Sequence, residues 1–180
     1  MLGNGNRYLI IGHDLFIIYA CIIDWFDKRN LGDEFMIERI MNNDKELALI
    51  IRTSYHKDGI EFFTPDTYSQ QIGYMNRPKG YVIPPHVHNP VERKVEFTKE
   101  VLFIKSGRVR VDFYSDEQEY FESTLLGTGD VVLLAYGGHG FEMLEPTEII
   151  EVKQGPYAGD KDKTRFDPVD ASALIMRGND

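Results

Sequence analysis

The sequence predicts an all-β domain, a sandwich or barrel of short strands. Three observations carry that expectation. From about Leu47 onward the chain is a series of short apolar or alternating runs rich in Val, Ile, Tyr and Phe. Turn residues separate those runs, which is the pattern of strands in a sandwich or barrel. No segment of useful length between them has helical periodicity, and that excludes alternating strand–helix architecture.

The runs come in order as LALIIR (47–52), IEFFT (60–64), QQIGYM (70–75), YVIPPHVH (81–88) and EVLFI (100–104). RVRVDFY (108–114), EYFESTLL (119–126), DVVLLA (130–135), HGFEML (139–144) and EIIEVKQ (148–154) follow. Breakers fall between them at Pro65-Asp66, Arg77-Pro78-Lys79-Gly80, Ser106-Gly107, Gly127-Thr128-Gly129, Gly137-Gly138 and Glu145-Pro146. Short helices are expected within 15–28 and near 170–176. The tail after Gly155 is polar and reads as a surface excursion. No internal repeat or low-complexity stretch is present.

The 180 residues suffice for one domain with a real core. A hydrophobic content of 42% with 27% charged residues fits a globular chain and not a disordered one. Twenty Lys and Arg against 29 Asp and Glu leave a net charge of −9, without a long basic run. Such a chain has no electrostatic footprint for nucleic acid or for an anionic membrane face. The single cysteine, Cys21, cannot close an intrachain disulfide or build a cysteine zinc site. Any metal must then use histidine and carboxylate, and there are five histidines: His13, His56, His86, His88 and His139.

Residues 7–26 are unusually apolar, but their longest unbroken run, Leu15 to Ile23, falls short of the roughly 20 residues of a spanning helix. His13 and Asp14 precede the run and Asp24 follows it. A signal peptide is disfavoured because Asp14 sits where its apolar core belongs and only Arg7 supplies positive charge. Ile18-Tyr19-Ala20-Cys21 is loosely similar to a lipoprotein cleavage box, with Tyr19 an awkward fit. The reading is a cytoplasmic protein with an N-terminal extension, 1–35, packed on the main domain or on a second subunit. The main domain then occupies 36–180; the alternative to a packed extension is that the working protein starts near Met36.

His86-Val87-His88 is the feature that carries chemistry. On a strand, residues two apart point to the same face, so two imidazoles placed this way can converge on one ion at bonds of about 2.0–2.1 Å. Alone the motif is weak, since solvated surface pairs are common. Parity supplies further donors. Glu100 shares a face with Leu102 and Ile104, an unusual setting for a glutamate that is neither paired nor ligating. His139 heads another strand, with Phe141 and Met143 on its face. Three histidines and a glutamate with open positions suit a first-row transition metal. The competing readings are a plain hairpin turn for Gly137-Gly138-His139-Gly140 and, for His56 in a polar turn, simple exposure.

On these residues the sequence resembles the cupin family, small jelly-roll barrels with two sequence motifs. Gly80, five residues, then His86-Val87-His88 reproduce the start of the first motif, and Glu100, six residues, then Gly107 reproduce its end. Gly129, five residues, Ala135-Tyr136-Gly137 and His139 through Met143 follow the second. The match covers residues 70 to 155. Eleven residues separate His88 from Glu100 where the family has three or four, and Glu92 satisfies the shorter spacing. Ala135 replaces the family's proline, the loop before His139 is one residue short, and Met143 replaces its asparagine.

The resemblance implies a divalent transition metal (Fe, Mn, Ni or Zn) held by His86, His88, Glu100 and His139. It implies a small polar metabolite as ligand, with carbohydrate derivatives among the candidates, and a homodimer. Family activities include oxygenases, decarboxylases and isomerases or epimerases, and the barrel does not select among them. The alternative is a non-catalytic binding or structural module. Tyr74, Tyr136, Phe141, Met143, Glu151 and Lys153 are the candidate pocket residues, Glu151 and Lys153 being equally a solvated edge pair.

Overall fold

The computed structural model describes residues 36–156, 158–159 and 162–178. The helix expected within 15–28, the extension at 1–35 and His13 lie outside them. The described chain is all-β, in three antiparallel sheets of which none closes into a barrel. In order the strands are β1 (Ile37–Asn42), β2 (Lys45–Ile51), β3 (Gly59–Phe62), β4 (Gly73–Asn76) and β5 (Glu100–Ser106). Then come β6 (Arg108–Tyr114), β7 (Tyr120–Gly127), β8 (Val131–Leu134), β9 (Gly138–Met143) and β10 (Glu148–Lys153). Five strands make one sheet in the order β1-β2-β8-β5-β10, three make a second as β7-β6-β9, and β3-β4 pair by themselves. Among the described residues no helix is long and apolar enough to cross a membrane.

The five-stranded sheet buries both faces at its centre, and this explains the unbroken apolar run of β2. Ala48, Ile50, Val132, Leu134, Leu102 and Ile104 face a core shared with Val109, Val111, Phe113 and Leu126 of the three-stranded sheet. Leu49, Ile51 and Leu133 face the other way, against Tyr55 and Ile72, with Val101, Val131 and Tyr74 packed around them. Strand β5 alternates as its sequence predicts: Glu100, Leu102 and Ile104 are buried, while Phe103 and Lys105 are exposed. The cover ends at β10, where Ile150 and Val152 stand half exposed beside Phe103.

Two sequence expectations are corrected. The run 81–88 forms no strand, and every residue from Arg77 to Thr98 is exposed and outside regular structure. Pro78, Pro84, Pro85 and Pro90 remove four amide donors from this stretch, so it cannot sustain a hydrogen-bond ladder. The helix near 170–176 shrinks to a single 3-10 turn, Ala171–Ala173, capped by the Asp170 carboxylate accepting from the Ser172 amide at 2.8 Å. Beyond it the chain pairs with β7, through the Ser123 amide to the Ile175 carbonyl and the Arg177 amide to the Ser123 carbonyl. Strand β1, IERIMN, is an addition that the mixed composition of 37–42 had hidden.

Candidate functional site

Glu100 opens β5 on the inner face, paired in register with Leu134 of β8 and Lys153 of β10. Strand β8 leads through Ala135-Tyr136-Gly137 into β9, which crosses to the three-stranded sheet and carries His139. The crossing needs glycine. Gly137 has a φ of +69°, and a Cβ there would stand 2.2 Å from the Tyr114 carbonyl oxygen. At Gly138 a Cβ would meet the Phe166 ring at 2.8 Å, whereas at Gly140 it would meet only ordinary contacts from 3.9 Å. Glycine is thus required at 137 and 138, where the chain turns, and not by crowding at 140.

The crossing brings His139 Nε2 to 3.1 Å from Glu100 Oε2. Lys163 Nζ lies 3.9 Å from the other carboxylate oxygen. Glu100 is only 8% exposed. The hydrogen bond from His139 holds its carboxyl below the ordinary value; burial opposes this, and the charges of His139, Lys163 and Lys153 assist it. Glu100 is accordingly an ionised, largely desolvated carboxylate with a histidine as its immediate partner.

The pair sits in a cleft of about 1100 Å³ between the two larger sheets, lined along one side by residues 162–171. Phe97, Tyr114, Tyr136, Phe141 and Phe166 supply its aromatic surface. Phe166 packs edge-on against Tyr114, ring centroids 5.0 Å apart, and the Val169 amide donates to the Tyr114 hydroxyl at 3.0 Å. Those two contacts pin the C-terminal segment to the cleft. Asp112, almost fully buried, accepts from Arg110 Nε at 2.7 Å and from the Ser123 hydroxyl at 2.6 Å. Behind Tyr136, the buried Lys99 places its ammonium 4.3 Å from that ring centre and 4.8 Å from the Tyr68 ring centre.

Of the residues singled out from the sequence, Glu100, His139, Tyr136 and Phe141 line this cleft. His86 and His88 do not; their rings lie edge to face, 5.3 Å between centroids, on the exposed segment 77–98. His86 Nδ1 is 3.1 Å from the Pro84 carbonyl oxygen. Glu92 is on the same exposed segment, so the glutamate beside His139 is Glu100. Tyr74 belongs to the separate β3–β4 pair and packs on Tyr55, centroids 5.0 Å apart. Met143 is half exposed at the far end of β9. Glu151 and Lys153 make an edge ion pair at 3.7 Å, and Lys153 also reaches Asp162 at 3.8 Å.

Arg110, Asp112, Tyr114, Lys163, Arg165 and Phe166 line the cleft without having been singled out from the sequence. Asp112 between Val111 and Phe113 was a legible signal, as was the aromatic Phe166 in an otherwise polar tail. Carboxylate and imidazole suit a divalent transition ion. As placed, however, the four expected donors form two pairs, and among the described residues no group of three or more His, Cys, Asp or Glu is arranged to hold a metal. Compared with known protein families, with curated proteins and with solved structures, the chain matches none.

Proposed function

We propose that the protein is an enzyme of cupin type acting on a small polyhydroxylated metabolite in the cleft between the sheets, with Glu100 and His139 at the reacting centre. The observation that carries this reading is the Glu100–His139 pair, a buried carboxylate and an imidazole 3.1 Å apart at the floor of an aromatic-lined cleft. Carboxylates accept hydrogen bonds from ligand hydroxyls, and aromatic faces cover the apolar faces of a sugar ring. A cleft of this size holds a small metabolite. With Nε2–H donating to Glu100, Nδ1 of His139 is the ring nitrogen that takes a proton from substrate, and the carboxylate stabilises the imidazolium so formed. Proton removal and return of this kind is isomerase or epimerase chemistry.

The test is a binding and turnover screen of monosaccharides and their derivatives. Glu100→Gln and His139→Ala are expected to cut turnover by about 10²–10⁴ with the fold intact. Full activity in both variants, or no monosaccharide binding by the wild-type protein, sinks the reading.

A second reading is a metal centre, favoured by the side-by-side placement of His86 and His88. It requires segment 77–98 to bring both rings to Glu100 and His139. Elemental analysis of protein purified without chelator decides it: stoichiometric Fe, Mn, Ni or Zn that is lost in His86→Ala and His139→Ala supports the metal. A cytoplasmic homodimer belongs to the same proposal. The support for the dimer is the half-exposed apolar row of Phe103 on β5 and of Ile150 and Val152 on β10.

A further inference from the structure

Six carboxylates and three lysine or arginine side chains line the cleft among the described residues. Each of its carboxylates has a cationic or imidazole partner: Glu96 with Lys94, Glu100 with His139, Asp112 and Glu142 with Arg110, Asp116 with Lys45, and Asp162 with Lys153. Arg110 is shared between two acids, with Nε and one terminal nitrogen on Asp112 and the other terminal nitrogen on Glu142. Two further cations line the cleft, Lys163 and Arg165. Lys163 is 3.9 Å from Glu100, a long contact to an oxygen pair that already has His139. Arg165 makes no ion pair with any carboxylate among the described residues, although it stands one residue before Phe166, the side chain that pins this segment to Tyr114.

From this placement we infer that the substrate carries an anionic substituent, a carboxylate or a phosphate, and that Arg165 binds it with Lys163 in support. The inference rests on the proposed polyol site and names its substrate class as acidic sugars. A guanidinium presents a planar fork of donors that matches both oxyanions in a two-point contact, and Lys163 adds a point charge on the same wall. The acids opposite each have a basic neighbour, with Asp112 and Glu142 sharing one guanidinium and Glu100 facing an imidazole. The Glu100–His139 pair then meets the hydroxyl-bearing part of the ring while the anion is held at the C-terminal wall. Arg165 is a binding and specificity residue in this scheme; His139 moves the proton.

Calorimetric titration of the full chain with glucose, glucuronate and glucose 6-phosphate tests it. The expected result is a preference of about tenfold or more for at least one anionic sugar over glucose, weakened by added salt. Arg165→Met removes that preference, while Lys163→Met reduces it by a smaller factor. The two anionic ligands separate a carboxylate site from a phosphate site. Equal binding of all three sugars, or an undiminished preference in Arg165→Met, overturns the inference and leaves the polyol site standing. Failure of all three to bind overturns both.

Discussion

Tyr68 shows how a single side chain records its surroundings. It lies against the Lys99 ammonium and near the Glu46 carboxylate, 3.4 Å from its hydroxyl. Burial first, and then the charge of Glu46, push its phenol up to about 12. A phenol whose folded value exceeds its unfolded value of 10.0 contributes stability that is complete below pH 10 and is lost as pH rises towards 12. Alkaline titration followed by the phenolate absorbance should therefore show one tyrosine titrating late, near unfolding, and Tyr68→Phe should abolish that late step while removing part of the alkaline sensitivity. At the same scale, parity in the sequence was enough to mark Glu100 as an anomaly on an apolar face. It was not enough to reveal Arg165, because an arginine in a polar tail looks like any solvated arginine until the tail is seen to lie along a cleft.

At the scale of elements, strand β5 separates what alternation predicts from what packing adds. Ile104 has no exposed surface, and its neighbour Lys105 is an exposed residue paired with Glu148 at 3.1 Å. Ile104→Ala is expected to cost about 2–5 kcal/mol in denaturant unfolding, since it opens a cavity between the two larger sheets. Lys105→Ala should cost no more than about 1 kcal/mol, the range of an exposed ion pair. Equal losses would mean that β5 does not face the core as described. Segment 77–98 shows the limit of reading strands from apolar runs. Tyr81, Val82 and Ile83 have strand-forming side chains, but the prolines after them deny the backbone the partners that a strand must have. The consequence is functional, because the histidine pair rides on that segment and stands apart from the carboxylate and histidine of the cleft.

For the whole molecule, the uneven cover of the five-stranded sheet matters most. Its outer face is sealed near β2 and β8 by the segment that carries Tyr55 and Ile72, and left apolar and open at β10. Among the described residues strand β10 is also an edge strand, the kind of edge that invites a partner chain. Light scattering is expected to report a dimer for the full chain, and the pair Ile150→Lys, Val152→Lys to convert it to monomer with the Tyr68 titration preserved. A wild-type monomer at high concentration would remove the β10 face from consideration. The sequence by itself determined the all-β class, most strand positions and the inward face of Glu100, because these follow from period-two alternation and turn residues. Only the tertiary structure decided that His139 meets Glu100, that the polar tail lines the cleft, and that His86 and His88 stand elsewhere. Those are contacts between residues far apart in the chain, set by sheet order, crossing turns and backbone hydrogen-bond supply, none of which a local pattern encodes.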